Sequence, residues 1–296
     1  MTVATLGEDE VVRRLLEIFQ ATEGSSGVAV GPGDDCAVLA TEGHEVWVWK
    51  CDAVAEDVHF SADTSPELVG GKALKRAVSD FAAMGGAEPK YAMLTLGINQ
   101  ERAWSWLQSF AQGFMLEAQR WNISVVGGET MRIPSGFWAD VHLTGVGERQ
   151  KIVRRSGGQP GDVLAVTGCL GGSLAGWHLH FKPRLREAQW LCQHFVPHAM
   201  MDLSDGLGSD LPRLAKASGC GFQIQDVPIR EGCSWDQAIQ DGEDYELLMA
   251  FAPQAWEAVK PRWDKAWPQL PLNAIGHLTE PQNQKELPRG FSHFRE

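Results

Sequence analysis

Apolar and polar residues alternate along the chain in two ways, and each predicts a different kind of element. Helical spacing occurs in "EDEVVRRLLEIFQ" at 8–20, in "PELVGGKALKRAVSDFAAMGG" at 66–86 and at about 103–119. The second of these segments is closed by a glycine pair, as helices often are. Apolar runs predict strands, among them "VWVWK", "YAMLTLGI", "ISVVGG" and "FWADVHLTGVGE". The first half is therefore expected to combine helices with a sheet.

A basic and polar segment, "RQKIVRRSGGQPGD" at 149–162, interrupts this pattern. It predicts a boundary between a domain at 1–149 and a second domain at 150–296. Beyond it, "VLAVTG" and "ELLMAF" predict strands, while "GGSLAGWHLHF", residues 208–218 and "PQAWEAVKPRW" predict helices. The tail after Leu278 is expected to be coil. The expected fold class is α/β, of the α+β type, in two domains.

Composition narrows the class of protein. The chain has 296 residues, and its hydrophobic content of 44% is enough for buried cores. It has no apolar run of about 18 residues and no signal-peptide pattern at its start, so we expect a cytoplasmic protein. Its six cysteines are scattered, which predicts reduced thiols. The net charge of −12 argues against nucleic acid or an anionic membrane as the main partner.

The stretch "MDLSDGLGSDL" at 201–211 crowds Asp202, Asp205 and Asp210 among glycines and serines. Helix capping explains such residues, and so does a cation held between the carboxylates. Five separate stretches end an apolar element with glycine and acid, around Asp35, Asp52, Glu129, Asp202–Asp205 and Glu243–Asp244. Mg²⁺ takes oxygen ligands and usually only one or two carboxylates per ion. Acids scattered at strand ends suit several metal ions bridging a polyphosphate.

Single motifs are ambiguous. Asp80 lies off the apolar stripe of its helix, which suits a ligand site as well as an exposed position. The glycines of "TGCLGGSLAG" at 167–176 could expose N–H groups to a phosphate or merely start a helix. Arg154 and Arg155 suit a phosphate clamp or an interdomain surface. His59 suits a substrate contact, an acid–base role or a structural hydrogen bond.

Seven stretches in order carry a resemblance: "GDDCAVL", "CDAVAEDVHF", "KALKRAVSDFAAMGG", "GGET", "RRSGGQPGD", "LSDGLGSDL" and "GEDYELL". Their order and spacing over residues 27–251 resemble the thiamine-monophosphate kinase family, with a weaker likeness in "GFSHF" at 290–294. That family belongs to the ATP-using superfamily of aminoimidazole-ribotide synthetase and selenophosphate synthetase. "GEDYEL" and "SDFAAMG" favour the kinase.

The resemblance implies an N-terminal mixed-sheet domain that binds ATP and dimerises through its sheet, and a C-terminal α/β domain. It implies transfer of the γ-phosphate of ATP to thiamine monophosphate, assisted by Mg²⁺, in a homodimer. Strands at 91–98 and 137–146 would suit a shared sheet.

The resemblance also implies a residue for each role in the site. The implied metal ligands are Asp34, Asp35, Asp52, Asp80, Glu129, Asp202 and Asp205. The implied ATP contacts are Gly128, Glu129, Arg155 and Ser204. The implied substrate contacts are His59, Glu243 and Phe291, the last as an aromatic stack on thiamine. No side chain is implied as a catalytic acid, base or nucleophile. Asp210 is expected to be a helix residue.

This chain departs from the family pattern around the metal and phosphate region. Lys50 and Cys51 replace two hydroxyl residues, and Glu129 replaces an aspartate. Ala77 replaces an asparagine, and Asp57 replaces a glycine. Because a lysine has no acceptor atom, it cannot bind a cation. Our hypothesis is that the Lys50 ammonium replaces the charge of one Mg²⁺, with Asp57 as its counter-charge.

These departures leave two alternatives to the kinase. One is a divergent member of the superfamily that uses another phosphate acceptor. The other is a non-catalytic nucleotide-binding protein, which ATP would stabilise without acceptor-dependent release of ADP.

Overall fold

The computed structural model describes residues 2–19, 27–283 and 286–294. Its helices are α1 Val3–Leu6, α2 Glu8–Phe19, α3 Pro66–Ala83, α4 Trp104–Arg120, α5 Trp177–His180, α6 Leu185–His194, α7 Leu207–Ala217, α8 Trp235–Gln240 and α9 Pro253–Ala266. Short 3₁₀ turns occupy Ser173–Ala175 and Pro281–Asn283. None of these helices is long and apolar enough to cross a membrane.

The strands are β1 Val28–Val30, β2 Ala37–Ala40, β3 Glu45–Ala55, β4 Gly85–Asn99, β5 Ser124–Ile133, β6 Phe137–Ile152, β7 Val163–Thr167, β8 Ala199–Asp202, β9 Gly221–Ile224, β10 Leu247–Phe251 and β11 Leu272–Thr279. They form two sheets, ordered β1-β2-β3-β6-β4-β5 and β8-β10-β7-β11-β9. In the first sheet only β4 and β5 run parallel, and the second sheet is antiparallel. The expected mixed α/β architecture is confirmed.

Helix α3 connects the two sheets through its packing. Proline at its first position suits a helix start, and Gly85, with φ of +72°, turns the chain into β4. The apolar stripe predicted from the sequence is fully buried, at Leu74, Ala77, Val78, Phe81 and Met84. The helix packs on α4 and β3 of the first half and on α6 and β8 of the second. Residues of α3 therefore face both halves of the molecule.

Side chains of β3 alternate between the two faces of the first sheet. Val46 and Val48 are buried, whereas Trp47 and Trp49 are 38% and 50% exposed on the opposite face. Tyr91 and Met93 of β4 are also exposed, at 45% and 49%. One face of this sheet thus carries large apolar side chains that nothing in the described chain covers.

Several elements differ from the sequence-based expectations. Strand β3 continues to Ala55, so Asp52 lies within the strand rather than after it. Strand β5 extends through Glu129 to Ile133 and is exposed over almost its whole length, not buried. The helix expected in "GGSLAGWHLHF" is only a 3₁₀ turn and the single turn α5. The helix expected at 8–20 is α2, with residue 20 outside the described residues.

Candidate functional site

Three aspartates from distant parts of the chain meet between the two halves of the molecule. Asp35 follows β1, Asp80 lies in the last turn of α3, and Asp202 ends β8. One carboxylate oxygen from each lies within 4.8 Å of the others, and all three residues are buried. We call this group the acidic trio. Its members were predicted from the sequence, and the fold brings them together.

Asp202 is incompletely satisfied within the acidic trio. The Ser79 hydroxyl donates to its Oδ2 at 2.6 Å, but its buried Oδ1 has no hydrogen-bond partner in the described chain. A buried carboxylate oxygen without a partner is costly. A hard cation coordinated by this oxygen would remove that cost, so the donor set fits Mg²⁺.

The pKa values of the trio reflect its crowding. Burial, followed by the charge of Asp35, raises the pKa of Asp202 to about 7. Burial also raises the pKa of Asp80 well above its usual value, with Lys50 opposing the shift and Asp202 adding to it. Burial and mutual repulsion thus disfavour the charged forms of these carboxylates, a cost that a bound cation would offset.

Lys50 supplies part of the missing positive charge. Its ammonium lies 2.8 Å from Asp80 Oδ1. Burial would lower the pKa of the lysine, but the charges of Asp80 and Asp52 and the hydrogen bond to Asp80 together hold it above its usual value. Asp57, the expected counter-charge, is exposed and has a φ of +66°. That part of the hypothesis is wrong, because the partner of Lys50 is Asp80. The left-handed backbone explains why glycine would suit position 57, since aspartate tolerates that conformation less well.

Arg76 forms an ion pair with the carboxylate of Asp52. Its guanidinium makes two hydrogen bonds to the two Asp52 oxygens, at 3.0 and 3.2 Å. Burial would raise the pKa of Asp52, but the charges of Arg76 and Lys50 outweigh it and lower the pKa below its usual value. Asp52 is not in the acidic trio, and its charge is already paired.

Arg155 joins the segment between the sheets to Asp35. Its side chain donates to the two Asp35 oxygens at 2.6 and 3.2 Å. Its backbone N–H donates to Asp34 at 3.2 Å, so Asp34 holds the backbone and does not join the trio. Burial and the charge of Asp35 raise the pKa of Asp34 to about 6. Arg154 donates to the carbonyl oxygen of Ala29.

Asp205 and Asp210 form a separate group. Arg213 bonds to both carboxylates, and the Asp210 carboxylate accepts the Asp205 N–H at 2.9 Å. Asp210 lies in α7, as expected, where it is fully buried. In the stretch that opens α7, only Asp202 therefore enters the trio.

Gly128 and Glu129 lie in the exposed strand β5. The Glu129 side chain accepts only the N–H of Thr130, at 2.9 Å, among the bonds of the described chain. A Cβ at position 128 would come within 2.0 Å of the Leu94 carbonyl oxygen, so glycine allows β4 and β5 to pair. In the described single chain Glu129 is not part of the acidic trio.

Glu243 is the centre of a second polar group. Lys72 lies 2.8 Å from its Oε1, His178 lies 3.3 Å from its Oε2, and the Tyr245 hydroxyl donates at 3.1 Å. Burial would raise the pKa of Glu243, but hydrogen bonding from His178 and the charges of Lys72 and Arg76 lower it to about 2. Glu243 therefore stays ionised, and its backbone is left-handed, with φ of +52°.

His59 lies beside this group and connects it to the C-terminal tail. Its Nδ1 accepts the Ala55 N–H at 3.1 Å. Burial, followed by the charge of Arg76, lowers its pKa to about 3, so the ring is neutral. The His293 ring lies 5.6 Å from the His59 ring and 5.0 Å from that of Phe291. The fold thus gathers the three expected substrate contacts, Glu243, His59 and Phe291, in one region.

Comparison with known proteins fits this arrangement. The AIR synthase related protein family matches twice, its N-terminal domain at residues 33–148 and its C-terminal domain at 141–286. Thiamine-monophosphate kinase of Bacillus subtilis is 31% identical, with 91% of this chain and 95% of the relative covered. That of Rhodopirellula baltica is 34% identical, with 90% and 92% covered. This chain belongs to the thiamine-monophosphate kinase family.

A solved structure of the family extends the likeness to the whole fold. AaThiL complexed with AMPPCP and TMP superposes with a TM-score of 0.80 at 27% identity, and 99% of each chain is covered. The resemblance inferred from the seven stretches is confirmed.

The structure also bears on a motif that the sequence left open between a phosphate site and a helix start. The glycine-rich stretch at 167–176 does not present free N–H groups to a phosphate, because Gly171 donates to Asp244 at 3.0 Å and Gly172 to Asp241 at 2.9 Å. Aspartate side chains already satisfy these donors, so the stretch stabilises a loop.

Sequence reasoning missed three residues of this thiamine-monophosphate kinase family member: Lys72, Arg76 and Ser79. A signal was available, because Lys72, Arg76 and Asp80 recur at intervals of four, which places them on one face of α3. That face is the polar side of a helix that is otherwise buried.

Proposed function

We propose that the protein transfers the γ-phosphate of ATP to thiamine monophosphate and forms thiamine diphosphate. The observation that carries this proposal is the likeness over 99% of both chains to AaThiL complexed with AMPPCP and TMP. In that complex AMPPCP stands in for ATP and TMP is the acceptor, so both molecules that such a reaction requires are represented. Direct phosphoryl transfer depends mainly on positioning and on charge neutralisation.

The acidic trio is proposed to hold Mg²⁺. The unpartnered Oδ1 of Asp202 and the close carboxylates of Asp35 and Asp80 support this assignment. Bound there, Mg²⁺ would neutralise phosphate charge and orient the polyphosphate. Asp34, Asp52, Asp205 and Glu129 remain proposed ligands by resemblance, and each would need a side-chain or backbone rearrangement to reach the trio.

ATP is proposed to lie against Arg155, Ser204, Gly128 and Glu129. Arg155 hydrogen-bonds to Asp35 of the acidic trio, and Ser204 lies two residues after Asp202. Both positions support a contact with phosphate there. We propose that Arg155 exchanges its bond to Asp35 for a phosphate oxygen when Mg²⁺ takes over that carboxylate.

Thiamine monophosphate is proposed to contact His59, Glu243 and Phe291. The half-exposed ring of Phe291 offers a stacking surface, at 43% exposure, and the neutral His59 offers a polar contact beside it. Glu243 is ionised and lies 2.8 Å from the Lys72 ammonium.

The higher-order organisation is also proposed. The domains are proposed as 1–149 and 150–296, although β6 of the first sheet runs on to Ile152. The protein is proposed as a cytoplasmic homodimer formed through the first sheet. The exposed side chains of Trp47, Trp49, Tyr91 and Met93 support this dimer, because large apolar side chains grouped on one exposed face often mark a contact surface.

A second candidate is a nucleotide-binding protein with another acceptor or without catalysis. It is favoured by Arg76, whose guanidinium fully engages Asp52, a proposed metal ligand. Loss of that ligand would alter the metal set that phosphoryl transfer needs.

The deciding experiment follows formation of thiamine diphosphate from ATP, Mg²⁺ and thiamine monophosphate. Asp202→Asn should reduce turnover at least about 100-fold, because it removes a charged metal ligand. Asp210→Asn is the matched control, since that aspartate is equally buried but lies outside the trio. Product formation lost only in Asp202→Asn supports the kinase. No product from the unmodified protein, with ATP still bound, would favour the second candidate.

A further inference from the structure

A mixed group of metal-ligating side chains lies on the face of the first sheet that the single chain leaves uncovered and that is proposed above to form the dimer. Cys51 of β3 pairs directly with His142 of β6, and Asp140 lies two residues before His142 on the same face. Directly paired residues and their diagonal neighbours in antiparallel strands are close enough to interact. The register of two long strands therefore fixes the three side chains next to one another.

The distances within this group are short. One ligand atom from each of the three residues lies within 4.8 Å of the others. His142 Nε2 lies 2.8 Å from Asp140 Oδ2. Ligand atoms around a tetrahedral zinc ion lie about 3.3–3.8 Å apart, given metal–ligand bonds of about 2.0–2.3 Å. Small side-chain rotations would bring the group to that geometry.

We propose that Cys51, Asp140 and His142 form a binding site for Zn²⁺ or a chemically similar transition-metal ion. Thiolate, imidazole and carboxylate together are a typical zinc donor set, whereas Mg²⁺ takes oxygen ligands. Binding forms the zinc–sulfur bond, and the thiol proton leaves to solvent. The His142 side chain is 52% exposed in the single chain, so this chain leaves a fourth position unfilled.

The site is separate from the acidic trio and does not rest on the proposed function. The neighbours of Cys51 point to the other face of the sheet, where Lys50 pairs with Asp80 and Asp52 with Arg76. Within the described chain, no lysine or arginine nitrogen lies within 4.0 Å of the Asp140 carboxylate. Its negative charge is therefore available to a cation.

Calorimetric titration of the purified full-length chain with ZnCl₂ tests the proposal. An excess of Mg²⁺ in the buffer occupies sites made only of carboxylates. We expect one Zn²⁺ per chain. Cys51→Ser and His142→Asn should each weaken zinc binding at least about 10-fold, because loss of a residue that only hydrogen-bonds to a metal ligand already costs about that much. Cys233→Ser is the matched control, because that partly exposed thiol lies outside the group and should leave binding unchanged.

A second measurement uses Co²⁺ as a spectroscopic probe. A thiolate-to-cobalt charge-transfer band in the near ultraviolet should appear in the unmodified chain and in Cys233→Ser, and should be absent in Cys51→Ser. Circular dichroism establishes that the variants are folded. Absence of the band, or equal zinc binding by folded Cys51→Ser and the unmodified chain, would overturn the proposal.

Discussion

The Lys50 ammonium lies 2.8 Å from the Asp80 carboxylate, in the middle of the group proposed to bind metal. Arg76 makes a comparable ion pair with Asp52, at 3.0 Å. In both pairs a side chain carries positive charge at a carboxylate that the family resemblance assigns to a metal ion. The chain therefore supplies from its own sequence some of the positive charge that Mg²⁺ would otherwise provide.

Lys50→Ser should raise the number of divalent ions bound per chain. Without the ammonium, Asp80 loses its nearby positive charge, and the trio has more negative charge to neutralise. Mn²⁺ binding followed by electron paramagnetic resonance measures the stoichiometry. Lys90→Ser is the control, because Lys90 pairs with Glu88, away from the trio. An unchanged stoichiometry in Lys50→Ser would show that the lysine does not replace a metal charge.

Arg76→Val should lower the Mg²⁺ concentration that gives half-maximal activity. The substitution frees the Asp52 carboxylate for a cation. It should also lower the free energy of unfolding by about 1–3 kcal/mol without metal, because a partly buried carboxylate loses its partner. Activity titrations and urea unfolding measure the two effects.

Arg13→Val is the comparison for Arg76→Val, since the exposed Arg13 side chain pairs with Glu10 and Glu17 on helix α2. That variant should change neither quantity by much. A higher Mg²⁺ requirement in Arg76→Val would mean that the arginine positions Asp52 rather than competing for it.

Because of Asp244, the free energy of unfolding should decrease as the pH rises from about 4 to 7. Burial raises its pKa from 3.8 to about 7 in the folded state. Between those values the folded state keeps a proton that the unfolded state has lost, so stability falls with rising pH and then levels off above pH 7.

Asp244→Asn should remove this dependence, since the amide keeps an oxygen for the Gly171 N–H. Relative to the unmodified chain, the variant should gain about 1–3 kcal/mol of unfolding free energy between pH 5 and pH 8. Urea unfolding at the two pH values measures the gain. An equal difference at both would mean that Asp244 ionises in the folded state at its usual pKa.

Phe291→Ala should raise the KM for thiamine monophosphate about 5-fold and leave the KM for ATP unchanged, because a lost aromatic contact of this kind costs about 1 kcal/mol. Steady-state kinetics with each substrate varied in turn measures both values. Phe294→Ala is the matched control, since its ring is similarly exposed, at 39%, but lies farther from His293. Equal effects of the two variants would argue against a specific stack at Phe291.

The sequence by itself determined the local structure of α3 and the family. Leu74, Val78 and Phe81 recur at helical spacing, and all three are fully buried. The order of the short acidic and glycine-rich stretches was enough to identify the family, because the chemistry of a polyphosphate site restricts the residue types at each position. Asp35, Asp80 and Asp202 were all found in this way.

Only the tertiary structure decided which charges meet. Lys50 and Asp80 are 30 residues apart, and Arg76 and Asp52 are 24 apart, so no local spacing connects them. The sequence could not show that Glu129 lies outside the acidic trio. A residue inside a strand and a residue just after a strand can follow the same kind of apolar run. Periodicity shows which side of one element is buried, whereas the contacts between elements depend on strand register and on how α3 packs between the two sheets.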